Sequence, residues 1–390
     1  MMMQTPLNIV FAVGGTGGHL FPAIAIAQEF MARNCANRII FLGTGKPIEV
    51  SVLSEYGFVS RKICAEGIKG RGLFRQVRAI LIMVRGIFQS IRILKSDKPD
   101  LVIGMGSYSA APVVLAAWLN RIPVVLCEQN VLPGIANRLL SRIADTVCVS
   151  FKDTLGNLPK SKIRFTGNPV RIEILQAKQK KKEMKGPFTV LVLGGSQGAH
   201  GINMVVIEAL GTLKQIENLF FIHQTGDTDE NIVRTAYEKN RIPCEVKAFF
   251  KNMARIYERA DLVICRAGAT TVAEVSALGK PSIFIPFPHA ADDHQVLNAR
   301  NLCAAGASEM IFEKDLTGAL LAEKILNLAK NPMQLEKMAA ISASLGHPDA
   351  AVNIFDECCE VFRNNQGIFR RIRSKRSNRI FLKRLIKREK

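Results

Sequence analysis

The chain has 390 residues, 48% of them hydrophobic and 7% aromatic, with a formal net charge of +20; that length supports two domains with full cores, and the charge calls for an anionic partner. No apolar run is long enough to span a bilayer, and the N-terminus lacks the basic and then apolar pattern of a secretory signal. Nine scattered cysteines without a C-x-x-C pair argue against a disulfide framework or a zinc site and fit a reducing cytosol.

Residues 7–13, Leu-Asn-Ile-Val-Phe-Ala-Val, lead straight into Gly14-Gly15-Thr16-Gly17-Gly18-His19, the pattern of a buried strand turning into a helix. The helix is expected from Pro22, whose missing N–H costs little in a first turn, to Arg33. Glycines let backbone N–H groups close on a ligand, and a helix start adds positive potential, so the turn suits an anion. A dinucleotide, a phosphate, a sugar diphosphate or a lipid diphosphate would each fit, as would a turn that only tightens packing. A strand at 38–42 follows, but no acid stands at its end to hold a nicotinamide ribose, and Glu49 comes late. The first loop also lacks the Lys-Ser/Thr ending of a nucleoside-triphosphate loop.

Residues 67–95 carry Leu73, Phe74, Ile80, Leu81, Ile82, Met83, Val84, Ile87 and Phe88 interleaved with Arg75, Arg78, Arg85 and Arg92, and contain no acid. At helical spacing this stretch fits an interfacial helix on a membrane and, equally, an amphipathic core helix. Strands are then expected at 100–104 and 123–127, the second ending in Glu128-Gln129-Asn130, with a small-residue helix at 110–119 between them. Polar residues just beyond a parallel strand are where open α/β sheets hold ligands. Further strands near 146–150 and 163–165 lead to Gly167-Asn168-Pro169-Val170-Arg171, and the basic stretch 176–186 reads as a linker or an exposed helix end.

The opening pattern then returns: an apolar strand at 188–193, the turn Gly194-Gly195-Ser196-Gln197-Gly198, and a helix from Ala199. This degenerate internal repeat, followed by strands at 219–224, 244–249, 262–265 and 282–285, implies a second α/β domain. The expected fold class is therefore α/β, with two tandem Rossmann-like, doubly wound domains facing a cleft in which two substrates could react. Residues 1–170 form the first domain and 171–346 the second. A C-terminal helix at 347–366 completes the first, and 367–390 form a basic amphipathic tail with eleven Lys/Arg against one acid.

Eight ordered blocks carry a resemblance: GGTGGH (14–19), GMGSYSAAP (104–112), EQN (128–130), GNPVR (167–171), GGSQGA (194–199), HQTG (223–226), CRAGATTVAE (265–274) and PFPHAADDHQ (286–295). Together they resemble the bacterial N-acetylglucosaminyltransferases of glycosyltransferase family 28, which make the last membrane precursor of peptidoglycan. The resemblance implies the GT-B fold and an inverting transfer of N-acetylglucosamine from UDP-N-acetylglucosamine. The acceptor it implies is lipid I, undecaprenyl-pyrophosphoryl-N-acetylmuramoyl-pentapeptide, attacked through its C4 hydroxyl to give lipid II. It also implies a peripheral enzyme on the cytoplasmic face of the inner membrane, serving cell-wall biogenesis and cell shape, in reach of the division machinery, without nucleic acid.

Carried over by position, Thr16, Gly17 and Gly18 serve the donor sugar and the lipid diphosphate. Asn130 and Arg171 contact the donor, Ser196 its diphosphate, and Phe250 the uracil side through its backbone. Ala269, Thr270, Thr271, Val272, Ala273 and Glu274 open a helix whose carboxylate, Glu274, accepts the two ribose hydroxyls; Gln295 reads the sugar hydroxyls. His19 follows the first glycine loop and is the candidate base, since imidazole titrates near neutral pH; a histidine that only positions substrate fits equally. Asp227-Thr228-Asp229 matches the D-x-D metal motif of another glycosyltransferase fold, yet an Asp-rich loop explains it, so no metal and no cofactor is expected. The 73–88 patch and the tail are expected to dock on anionic lipid, each cation near it worth about 1 kcal/mol. A UDP-sugar 2-epimerase and a diacylglycerol sugar transferase are the rivals on the same fold.

Overall fold

A computed structural model describes residues 5–14, 17–66, 73–177, 186–195, 198–288 and 293–365. Parallel strands form both sheets, and the central ones are apolar runs buried on both faces. In the first half these are β1 (Asn8–Ala12), β2 (Arg38–Gly43), β3 (Val59–Lys62), β4 (Leu101–Gly104), β5 (Val124–Glu128), β6 (Thr146–Val149) and β7 (Ile163–Phe165). The helices between them are α1 (Gly17–Arg33), α2 (Pro47–Glu55), α3 (Leu73–Asp97), α4 (Ala110–Leu119) and α5 (Ile135–Leu140), and α6 (Ile172–Ala177) follows β7.

The second half repeats the plan with β8 (Phe188–Leu193), β9 (Leu219–Gln224), β10 (Cys244–Lys247), β11 (Leu262–Cys265), β12 (Ser282–Phe284) and β13 (Ser308–Met310). Its helices are α7 (His200–Leu213), α8 (Glu230–Asn240), α9 (Met253–Arg259), α10 (Ala269–Leu278), α11 (His294–Ala304), α12 (Gly318–Ala329) and α13 (Pro332–Leu345). A last helix, α14 (350–365), returns to the first half.

All strand pairs are parallel, and the orders are β3-β2-β1-β4-β5-β6-β7 and β10-β9-β8-β11-β12-β13. In both sheets the direction of strand addition reverses between the first and fourth strands, the switch point at which doubly wound sheets open a crevice. Each sheet is covered on both faces. In the first, Ile9 and Phe11 point towards α1 and α14, while Val10 and Ala12 point into the core shared with α4. The ring of Phe355 on α14 meets Phe30 of α1 at 4.9 Å.

Three expectations are corrected. The first helix begins at Gly17, not Pro22, so Pro22 lies inside it. β10 stops at Lys247. The edge strands β3 and β13 were not anticipated: Val-Ser-Arg-Lys and Ser-Glu-Met lack an apolar run because an edge strand is less enclosed, and Val59 is exposed.

Behind the second glycine loop lies a buried polar chain. Asn203 gives its Nδ2 protons to the Thr225 carbonyl (2.9 Å) and Asp229 (2.8 Å), so its Oδ1 must accept from His223 Nε2 at 3.0 Å. His223 Nδ1 then accepts from the Tyr237 hydroxyl at 3.1 Å. Both ring nitrogens are committed to the neutral form, and burial holds the imidazole pKa down to about 3. The unfolded chain, with histidine near 6.5, binds the extra proton between these values. The stability His223 contributes is therefore complete above about pH 6.5 and is lost as pH falls towards 3. His223→Gln is expected to flatten the stability–pH slope in that window by about 1.4 kcal/mol per pH unit, measured by urea unfolding at pH 4.5 to 7.

Candidate active site

The crevice is built from the turns that leave the C-terminal ends of β1, β4 and β5 on one side and of β8, β11 and β12 on the other. Gly14 is required by space: a Cβ there would lie 1.9 Å from the Ser109 hydroxyl, which itself donates to the Val13 carbonyl at 3.0 Å. The 104–112 block thus buttresses the first loop. In the second loop, Gly198 adopts φ +77° and a Cβ would lie 2.0 Å from the Thr225 carbonyl. Thr16 and Ser196, assigned to the donor, lie outside the described residues, as does His289.

Pro22 has a consequence at this site. It carries no N–H for the carbonyl four residues back, that of Gly18. The Thr270 hydroxyl, from the first turn of α10, donates to that carbonyl at 3.0 Å. The start of α1, with Gly17 and Gly18, therefore abuts the start of α10, where Ala269 and Val272 are buried while Thr270, Thr271 and Ala273 are partly exposed. The turn that opens α10 follows β11, the neighbour of β8, so both glycine loops border one gap.

His19, half-buried, places Nδ1 3.0 Å from Gln129 Oε1. The residue before it, Glu128, is buried and turned the other way. Its carboxylate accepts from the backbone N–H of Asn130 (2.9 Å) and of Gly134 (3.1 Å), and from Asn137 Nδ2 (2.9 Å). Glu128 is thus the organiser of the 128–137 turn. Asn298 of α11 reaches across from the second half, accepting from Val131 N at 3.0 Å and donating to Asn130 Oδ1 at 3.1 Å.

A second crossing surrounds Arg171. Its guanidinium is buried, lies 4.0 Å from the Phe21 ring centroid, contacts the Tyr56 hydroxyl at 3.5 Å and pairs with Glu274 at 3.3 Å. Burial opposes the charge on Arg171, but Glu274, Tyr56 and Glu173 raise its pKa overall. Glu173 also receives the Tyr56 hydroxyl and Gln28 Nε2 of α1. Burial, then the Glu173 contact, raises the pKa of Tyr56. Glu274 is neither a solvated helix carboxylate nor open to the crevice: one oxygen meets Arg171, and the other takes the Tyr257 hydroxyl at 2.9 Å. A hollow of about 280 Å³ beside Arg171 is lined also by Glu173, Lys251 and Asn252.

Gln224 belongs to the HQTG block, and spacing alone assigns it no role. Its buried amide donates to the Gly195 carbonyl at 2.9 Å and accepts from Phe250 N at 3.0 Å, so one side chain ties the second glycine loop to the turn at Phe250. The Phe250 ring itself is buried in the core. Gln295, in the first turn of α11, accepts from Phe287 N at 2.9 Å, which fixes its amide. Asp229 of the D-x-D sequence points inward, to His200 Nδ1 at 3.0 Å and to Asn203. Among the described residues no three His, Cys, Asp or Glu side chains form a metal-binding group.

In the first domain, α3 begins at Leu73; the side chains of Leu73 and Phe74 lie outside the described residues. Ile80, Leu81, Val84 and Phe88 are exposed, Phe88 at 68%, whereas Ile82, Met83 and Ile87 are partly covered. The exposed apolar stripe is therefore narrower than the sequence pattern suggests, because α3 leans on α4. Trp118 and Leu119, exposed at the end of α4, are apolar surface that the pattern does not single out, since 110–119 is apolar throughout. The tail 367–390 lies outside the described residues.

The model for the glycosyltransferase family 28 N-terminal domain matches residues 9–149, and that for the C-terminal domain matches 189–354. Relatives named UDP-N-acetylglucosamine--N-acetylmuramyl-(pentapeptide) pyrophosphoryl-undecaprenol N-acetylglucosamine transferase are similar along nearly their whole length. The protein from Geotalea daltonii is 46% identical over 90% of this chain and 97% of its own. That from Myxococcus xanthus is 41% identical over 93% of this chain and 94% of its own. A crystal structure of Acinetobacter baumannii MurG superposes with a TM-score of 0.72 at 31% identity, covering 91% of this chain and all of that one. A UDP-GlcNAc 2-epimerase from Neisseria meningitidis shares the fold, with a TM-score of 0.64 at 17% identity over 90% of this chain and 99% of that one.

Replacing Gln224 by Leu would strand the Gly195 carbonyl and the Phe250 N–H together, at a cost of about 1–3 kcal/mol each where buried. The expected outcome is a Kd for UDP raised at least ~10-fold by calorimetry, with the KM for the lipid acceptor unchanged.

Proposed function

The chain belongs to glycosyltransferase family 28, and from that membership and the geometry of its crevice we propose that it transfers N-acetylglucosamine from UDP-N-acetylglucosamine to lipid I, giving lipid II for peptidoglycan. The observation that carries the reading is the shared gap. The start of α1 and the start of α10 touch through Thr270 and Gly18, and His19 stands beside them.

Inverting transfer is a single displacement at the anomeric carbon. It needs a base for the acceptor C4 hydroxyl and stabilisation of the charge that builds on the departing UDP. His19 Nε2 takes the hydroxyl proton. The backbone N–H groups at the helix starts and in the second glycine loop, with their positive end potential, receive the diphosphate charge. That arrangement supplies the electrostatic stabilisation from the chain's own amides, without calling on a metal or cofactor. The ribose hydroxyls of the donor engage Glu274, which obliges Arg171 to loosen its 3.3 Å pair and turn to the donor. Gln295 and Asn130, whose side chains are already oriented by Phe287 N and Asn298, address the sugar.

The acceptor's polyprenyl chain stays in the bilayer, so the enzyme works peripherally at the cytoplasmic face. Ile80, Leu81, Val84 and Phe88 share one stripe of α3, with Arg78, Arg85 and Arg92 exposed alongside, a pattern suited to apolar insertion flanked by lipid phosphates. No described helix is long and apolar enough to cross the membrane.

Incubation with radiolabelled UDP-N-acetylglucosamine is expected to label undecaprenyl-pyrophosphoryl-N-acetylmuramoyl-pentapeptide and release UDP in equal amount. Label in diacylglycerol, or an epimerised UDP-sugar without any acceptor, would overturn the reading. The double substitution Leu81→Asp/Phe88→Asp is expected to reduce sedimentation with anionic vesicles at least ~10-fold, since about 1.5–3 kcal/mol of burial is lost per large apolar side chain, and to raise the KM for the lipid acceptor but not for UDP-N-acetylglucosamine.

A further inference from the structure

We infer that Gln129 is a positioning residue that fixes the His19 ring in the tautomer with Nδ1 protonated, leaving the Nε2 lone pair for the acceptor hydroxyl. This rests on His19 acting as the base. The argument begins with the end of β5. Strand alternation sends Glu128 into the turn it organises and Gln129 to the opposite side, towards α1. Gln129 is 2% exposed, so its amide has no solvent to satisfy it. Its Nε2 donates to the Cys127 carbonyl at 3.3 Å. With the amide flipped, two oxygens would face each other there. The orientation is thus set by the backbone, and Oε1 is the atom presented to His19 Nδ1 at 3.0 Å. An amide oxygen can only accept; hence Nδ1 carries the proton, and the partner bonded to one ring nitrogen decides the role of the other.

The nearby charges do not duplicate this function. Glu128, on the same turn, has its oxygens engaged by Asn130, Gly134 and Asn137. From α10, which packs on α1, Glu274 is held by Arg171 and Tyr257. Arg171 itself lies over Phe21 of α1, and Tyr56 and Glu173 complete its surroundings. The group given to the imidazole is therefore a neutral one. It orients the ring without adding a negative charge.

The test compares the wild type with Gln129→Glu, Gln129→Met and His19→Gln, each first checked for an unchanged melting temperature. Gln129→Glu keeps an acceptor at the same place and adds charge, which favours the protonated imidazole. The acid limb of the pH profile of kcat is expected to move up by about one unit. Gln129→Met removes the acceptor, and kcat is expected to fall ~10-fold or more, with the KM for UDP-N-acetylglucosamine unchanged. Nitrogen-15 spectra, with the His19 signals assigned by their loss in His19→Gln, should show Nδ1 protonated in the wild type and a mixture of tautomers in Gln129→Met. If His19→Gln removes the acid limb but Gln129→Glu leaves it in place, or if the wild-type ring is protonated at Nε2, the role of Gln129 is overturned. If the limb survives in His19→Gln, the base assignment itself fails, and this inference with it.

Discussion

Parallel pairing delivers the C-terminal end of every strand to the same edge of its sheet, and the rest of the structure depends on this constraint. Each strand must be followed by a crossover, so each polar or glycine turn emerges at one rim. The reversal of strand order beside β1 and β8 then parts the neighbouring turns and opens space between them. Two such sheets, with the same order, bring two rims together. The glycine loops, the 128–131 turn and the first turn of α10 meet there, although Gly18 and Thr270, which touch, are 252 residues apart in the chain.

The halves are joined across that gap chiefly by polar contacts. Asn298 holds Asn130 and Val131, Thr270 holds Gly18, and Gln28 reaches Glu173. Arg171 sits at the crossover with Glu274 and Tyr56. A buried pair of this kind adds little net stability, because desolvation offsets its attraction; its consequence is geometric. Polar interfaces between domains reorganise more readily than apolar ones.

The first domain carries a second surface of different chemistry. The exposed stripe of α3, with Trp118 and Leu119 of α4, is apolar and edged by arginine, while the crevice is lined by amides, hydroxyls and helix ends. One domain thus holds both this exposed apolar surface and His19. In the second domain, Gln224 bridges Gly195 and Phe250.

Much of this was legible in the letters. The apolar runs gave every strand but β3 and β13, two of the four edge strands, since buried parallel strands must be apolar on both faces, and the repeat at 188–199 announced two similar halves. Periodicity could not limit the apolar surface of α3, because covered and exposed positions carry the same residue types; contact with α4 decided that. Nor could spacing show that Glu128 serves its own turn, or that Glu274 is paired with Arg171. What the sequence by itself determined is the set of local conformations and the chemical family of the turns, because these follow from neighbours in the chain. Only the tertiary structure decided which partners each polar group has: that Pro22 frees a carbonyl for Thr270, that Gln224 spans two segments, and that Gln129 faces His19. Those pairings join residues distant in sequence, and hydrogen-bond geometry exists only once the chain has folded.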